Sequence, residues 1–207
     1  MRLTVLPQGL ADMKMMDIGD DEPAIGPPDA KVRIIDFSDY YCPSCVPIYE
    51  KSLKPVLDEY GDAVRFVSRQ VIAIAAESYI ANHAAYCAHE QGRYWPMHEK
   101  IMFRVRPFVA MARTMENYNK LQDLIFESTP EYFTELAASI EGIDANQFAS
   151  SMKSDRYRER IHAVNAQFKS LNLKGVPVTL VGDRYFMGYA SIEDLRGAIE
   201  FELGRRQ

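Results

Sequence analysis

The chain has 207 residues, 47% hydrophobic and 26% charged, with a formal net charge of -5, which excludes disorder as its main state and allows a sizeable core. The negative balance argues against nucleic acid as a partner, since phosphate binding needs clustered Lys and Arg, and the nearest cluster, Arg104-Val-Arg106, reads as a solvated face. No apolar run approaches the ~18 residues of a membrane span. Met1 to Met16 carry one early charge, Arg2, and no continuous apolar stretch of the kind a secretory leader requires. The sequence therefore reads as cytoplasmic or as the mature form of an exported protein.

Residues 1–30 read as an irregular lead-in, punctuated by Gly19-Asp-Asp-Glu-Pro23 and Gly26-Pro-Pro-Asp29. Lys31 to Phe37 is β-branched and apolar, a strand. From Cys42 to Tyr60 apolar residues recur at helical spacing (Ile48, Tyr49, Leu53, Val56, Leu57). Pro43 suits the first helical position, Pro55 should kink or split the helix, and Gly61 ends it. Ala63 to Val71 is a second strand, closing a right-handed β-α-β unit. The stretch 77–171 is helical by pattern, with Tyr79, Ile80, His83, Ala84 and Cys87 on one face, Thr129-Pro130 as a helix start, and further helices over 117–127, 130–140 and 155–171. Pro177 to Val181 and Arg184 to Met187 flank Gly182-Asp183 as a tight hairpin, followed by a helix capped at Ser191 and ending at Leu203. The chain thus divides into a lead-in (1–30), a β-α-β and β-β-α domain (31–76 and 172–207) and a helical insertion (77–171).

Three cysteines are present, Cys42, Cys45 and Cys87. An odd, small number is wrong for a disulfide-stapled scaffold and suggests one working pair, Cys42-Pro43-Ser44-Cys45, plus a buried bystander, Cys87. Half a zinc site is the competing reading, with His83, Cys87 and His89 as the available complement. His98 and His162 read as ordinary polar residues, and Met13, Met15, Met16, Met97, Met102 and Met111 as core or lead-in residues rather than soft-metal ligands.

Three segments carry a resemblance. Asp36-Phe-Ser-Asp-Tyr-Tyr-Cys-Pro-Ser-Cys45, Gly175-Val-Pro-Val-Thr179, and Ala84-Ala-Tyr-Cys-Ala-His-Glu-Gln-Gly92 with Tyr94-Trp95 resemble, in that order, the active-site run, the cis-proline loop and the inserted helices of the DsbA family. The likeness runs from about Lys31 to Leu203 and implies an α/β thioredoxin fold with an inserted helical subdomain, acting as a thiol–disulfide oxidoreductase on protein substrates. A DsbA-like oxidase is the leading expectation, a reductase or isomerase using the same residues the alternative. A metal-binding or holdase module and a glutathione-dependent transferase stand further off; Cys45 argues against the latter. The resemblance implies no cofactor beyond the redox-active Cys42–Cys45 disulfide. It also implies a recharging partner, a membrane-bound DsbB-like reoxidant being one, and a periplasmic or otherwise extracytoplasmic setting, with the cytoplasm as alternative.

A pair that cycles with a disulfide needs Cα atoms about 5.5 Å apart, which i, i+3 spacing at a helix start provides. Cys42 is then expected as an exposed N-cap and attacking nucleophile, Cys45 as the more buried resolving thiol. Holding a thiolate ~1.5 to 5 pH units below a free thiol takes ~2 to 7 kcal/mol, and a helix dipole gives ~2 at best. The remainder falls to hydrogen bonds from the backbone N–H groups of Ser44 and Cys45 or from neighbouring side chains. Ser44 stands where relatives commonly carry a histidine, so no imidazolium is available there. From the resemblance, Pro177 is the cis-proline facing the pair and keeping metal from it, Val176 offers backbone to an extended substrate, and Asp36 is a buried acid moving the Cys45 proton. Tyr40, Tyr41 and Trp95 are assigned as apolar surface for protein substrates.

Overall fold

The computed structural model describes residues 22–108 and 115–205; the expectations placed on residues 1–21 and on Met111 lie outside them. Five strands form one mixed sheet in the order β1-β3-β2-β4-β5. They are β1 (Ala24–Ile25), β2 (Val32–Ser38), β3 (Val64–Gln70), β4 (Val178–Val181) and β5 (Arg184–Met187). β2 and β3 run parallel in register from Val32↔Val64 to Ser38↔Gln70, and β4 returns antiparallel to β2. The centre of the sheet is buried on both faces, and β2 and β3 accordingly carry Val, Ile and Phe on both, with buried polar residues towards their C-terminal ends.

Helix α1 joins β2 to β3 and changes winding: α-helical over Cys45–Ile48, π-helical over Tyr49–Leu53, α-helical again over Lys54–Tyr60. Pro55 is the reason. It has no N–H to offer, and the wider turn hands the Lys54 N–H to the Tyr49 carbonyl instead. The sequence expectation of a split helix is met by a π-bulge rather than a break. Gly61 ends it at φ +48°, a conformation other residues rarely adopt.

Between β3 and β4 come α2 (Ser78–His89), α3 (Tyr94–Phe103), α4 (Met115–Phe126), α5 (Pro130–Ala138), α6 (Ala145–Met152) and α7 (Arg158–Ser170). Thr129 caps α5 with its side chain and Pro130 takes the first position. Phe133, Phe148, Met97 and Ile101 are fully buried in one cluster with Phe66 of β3 and Tyr49 of α1, whose rings meet Trp95, His98 and Phe103 of α3. The arginines of the expected solvated face are engaged: Arg104 lies over the Tyr132 ring at 3.8 Å, and Arg106 pairs with Glu50 at 2.8 Å. A two-residue turn, Gly182-Asp183, links β4 to β5, and α8 (Ile192–Gly204) starts from a reciprocal Ser191–Asp194 capping box.

One boundary moves. Residues 24–25 of the expected lead-in pair antiparallel with β3 at Ala24↔Val67 and Ile25↔Phe66. Two residues flanked by Gly and Pro carry too little pattern to read as a strand, so composition alone assigned them to the lead-in.

Candidate active site

The site lies where β2 and β4 end together. The β2–β4 register places Asp36 opposite Thr179 and Phe37 opposite Val178, so the residues just before β4, Val176 and Pro177, meet the turn just after β2. The Val176–Pro177 peptide bond is cis, and the Val176 carbonyl oxygen lies 3.8 Å from the Cys42 sulfur.

Cys42 and Cys45 are free thiols on a turn in which the Cys45 N–H donates to the Cys42 carbonyl at 3.0 Å. Regular helix begins at Cys45, with Ser44 as the capping residue, so the N-cap assignment for Cys42 is corrected by two positions. Its exposure is corrected as well: Cys42 is only 4% accessible, against 0% for Cys45. The pair is covered, while Pro43 is half-buried and Ser44 exposed beside it.

Electrostatics nonetheless separate the two sulfurs. The Cys42 thiol is held below its ordinary range, chiefly by a hydrogen bond from the Cys45 thiol. The N–H groups of Cys45 and Ser44 add to this, while burial and the charge of Asp39 oppose it. Burial pushes Cys45 well up, and the Cys42 sulfur and Asp36 push it further. One thiol is therefore poised to carry negative charge and the other to keep its proton.

Asp36, whose charge acts on Cys45, is 1% accessible. Its carboxylate accepts from Ser38 Oγ and, at 2.6 Å, from Thr179 Oγ1. Burial still raises its pKa to about 6, the two hydroxyls only partly offsetting the loss of water. At that burial the Asp36 side chain does not point at water.

The aromatic assignments fail. Tyr40 and Tyr41 are 0% and 1% accessible; they follow directly on β2 and turn inward, Tyr40 meeting His98 Nδ1 at 3.0 Å through its hydroxyl. Trp95, half-buried on α3, packs on Phe66, Tyr94 and His98 and donates from Nε1 to the Ala24 carbonyl at 3.4 Å, on the β1 side of the sheet. These rings build the core between α3 and the sheet. The segments that meet the site carry exposed apolar side chains instead at Ile74, Met187 and Tyr189, each roughly half exposed. Ile74 sits in the loop bonded to Asp39, and Met187 and Tyr189 flank Gly188, whose N–H donates to the Pro177 carbonyl at 2.9 Å. Ile74 and Tyr189 lie outside regular elements and Met187 closes the short β5, so no periodic signal marks them in the sequence.

Asp39 was also missed. It is 1% accessible and accepts from the N–H groups of Tyr41, Ala73 and Ile74 and from Ser78 Oγ, all within 2.7–2.9 Å. The available signal was an aspartate ending a strand, two residues before the N–H it binds. The helix-face residues raised as metal ligands lie elsewhere: His83 and Cys87 are buried on α2, and the Cys87 thiol is pushed up to about 12, chiefly by burial. Among the described residues no group of three or more His, Cys, Asp or Glu side chains is placed to hold a metal ion.

The family model described as Thioredoxin matches residues 19–201. The chain belongs to that thioredoxin family. Among curated relatives it is 24% identical over 188 residues to disulfide bond formation protein D of Bacillus subtilis, covering 88% of this chain and 77% of that protein. Among solved structures, oxidised BdbD from Bacillus subtilis superimposes with a TM-score of 0.71 at 22% identity, over 89% of this chain and 94% of the other. The α-DsbA1 protein from Wolbachia pipientis gives 0.68 at 13% identity, over 93% and 96%. These likenesses support the thioredoxin fold with helices inserted between β3 and β4.

Proposed function

We propose that this thioredoxin-family chain is a thiol–disulfide oxidoreductase that oxidises protein thiols through Cys42 and Cys45. The observation that carries the reading is the asymmetry of the pair: Cys42 beside Val176 with its thiol acidified, Cys45 buried with its thiol made less acidic. In the oxidised enzyme a substrate thiolate attacks the Cys42 sulfur, the Cys42–Cys45 bond breaks, and Cys45 leaves as a thiolate that takes up a proton. A second substrate thiolate then attacks the substrate sulfur of the mixed disulfide and Cys42 leaves, so the substrate is oxidised by two electrons and the enzyme pair is reduced. A thiol that readily carries charge is a good leaving group, which favours this direction. We assign to Asp36, with its pKa near 6 and its charge acting on Cys45, the exchange of a proton with that thiol. Val176 and Pro177 offer backbone to an extended substrate, and Ile74, Met187 and Tyr189 offer apolar surface in place of the tyrosines.

The partners of this reading are reduced or misoxidised proteins and a recharging partner, a membrane-bound DsbB-like reoxidant, in an extracytoplasmic compartment. The similarity to a Bacillus subtilis disulfide bond formation protein supports it. A reductase with the same residues is the second reading, favoured by one observation: carboxylates, not cations, act on the two sulfurs.

The deciding experiment is the reduction potential of the pair, by equilibration with glutathione. A value near about -120 to -150 mV supports the oxidase, and one near about -250 mV or lower the reductase. Cys42→Ser is expected to abolish exchange in both directions; exchange retained by that variant removes the nucleophile assignment.

A further inference from the structure

We propose that Asp39 is a positioning residue for disulfide exchange, its buried carboxylate clasping the turn that carries Cys42 onto the loop that leads into α2. The inference rests on the reading of Cys42 as nucleophile and adds to it the part that fixes that sulfur in place.

Asp39 touches both sides of the site. Its backbone serves the cysteines: its carbonyl accepts the Cys42 N–H at 3.0 Å, and its own N–H is a hydrogen-bond donor to the Cys45 sulfur. Its side chain serves the surroundings. Oδ1 accepts from the Tyr41 N–H at 2.8 Å, Oδ2 from the N–H groups of Ala73 and Ile74 at 2.7 and 2.9 Å, and Ser78 Oγ reaches both oxygens at 2.8 and 2.9 Å. The donors come from the active-site turn, from the connection after β3 and from the first residue of α2. The turn that begins three residues before the nucleophile is thereby fixed to the insertion, and the Cys42 sulfur is held at 3.8 Å from the Val176 carbonyl.

Such a group has an electrostatic cost that a merely structural acceptor need not carry. A carboxylate beside a sulfur that must become a thiolate disfavours that thiolate, and Asp39 acts on Cys42 in that sense. Among the described residues, the charged groups that act most on the pair are Asp39, on Cys42, and Asp36, on Cys45, besides the two thiols themselves. A neutral asparagine would avoid the repulsion, but it brings an amide N–H₂ against donors. With its oxygen towards Ala73 and Ile74, its nitrogen opposes the Tyr41 N–H, and the clasp opens on the cysteine side. A full set of N–H and O–H donors from two loops needs both oxygens of a carboxylate.

The test uses the full chain as wild type, Asp39→Asn, Ser78→Ala and Cys42→Ser. Two quantities are read on folded protein: the pH midpoint of Cys42 alkylation by iodoacetamide, followed on the Cys42 peptide, and the oxidation rate of a dithiol peptide at a pH above that midpoint. Asp39→Asn is expected to move the midpoint to lower pH while slowing oxidation of the peptide roughly tenfold or more, as displaced reacting groups do. Ser78→Ala keeps the charge and loosens the clasp, so its midpoint should stay and its rate should fall by a smaller factor. If Asp39→Asn does not fold, the Ser78→Ala rate decides alone. Wild-type rates in the folded variants, whatever their stability, overturn the proposal. Exchange retained by Cys42→Ser, or absent from wild type, overturns instead the redox reading beneath it.

Discussion

Asp36 should cost stability at neutral pH, and Asp36→Asn should recover it. Burial raises the folded-state pKa from 3.8 to about 6, a shift of about two units, or about 3 kcal/mol between the two charge states. A folded pKa above the unfolded one contributes stability that is complete below pH ~3.8 and lost as pH rises through ~6. At pH 7 to 8 the ionised side chain therefore burdens the fold by about 3 kcal/mol relative to its neutral form. Asparagine keeps the shape and stays neutral, and the hydroxyls of Ser38 and Thr179 can rotate to accept its N–H or donate to its oxygen. The assay is urea unfolding of the reduced protein, wild type and variant, from pH 4 to 8. The gain should be largest at pH 7 to 8, equivalent to a rise in Tm of roughly 6 to 12 °C for a chain of this length, and should vanish near pH 4. A gain independent of pH, or a loss at pH 7 to 8, would show that Asp36 is not a buried charge seeking its proton.

Two further outcomes follow from groups away from the pair. His98 is fully buried and its pKa is pushed down to about 3 by burial alone; a depressed folded-state value means stability held above pH ~6.5 and lost as pH falls towards 3. His98→Gln should therefore unfold at lower pH than wild type in an acid titration followed by circular dichroism, and an unchanged midpoint would contradict a buried neutral imidazole. Gly182 sits at φ +55° with a hypothetical Cβ 2.3 Å from the Glu202 carboxyl carbon, so Gly182→Ala should lower stability by about 1 to 3 kcal/mol in urea unfolding, and a neutral result would contradict the turn geometry.

The fold was legible because its signals are local. Strand periodicity in β2 and β3, Gly182-Asp183 between two apolar runs, and the Ser191–Asp194 cap each specify a structure within a few residues. The cysteine pair and the Val176–Pro177 bond were legible through resemblance rather than periodicity. What misled was orientation. Tyr40 and Tyr41 lie past the end of β2, where the period-2 rule no longer says which face a side chain takes, and His98 on α3 supplies cover for Tyr40. Asp39 was lost for a related reason: the donors from Ala73, Ile74 and Ser78 are more than thirty positions distant, and no spacing rule reaches that far.

Position 44 tests how the thiolate is held. The causes acting on Cys42 are hydrogen bonds from Cys45 and Ser44, opposed by burial and by the charge of Asp39, with no cation among them. Ser44→His would add one, but Ser44 is exposed, so the imidazolium would remain in water and interact through a high effective dielectric. An exposed charge pair is worth about 0.5 to 1 kcal/mol, and for a two-electron couple 1.4 kcal/mol corresponds to ~30 mV. The reduction potential of Ser44→His should therefore rise by roughly 10 to 20 mV at pH 6 and by less at pH 8, where the imidazole is neutral. Added salt should shrink the rise. A rise of ~60 mV or more would mean that the imidazole leaves solvent and settles on the sulfur, and that the hydrogen bonds of the turn are the smaller part of what makes Cys42 acidic.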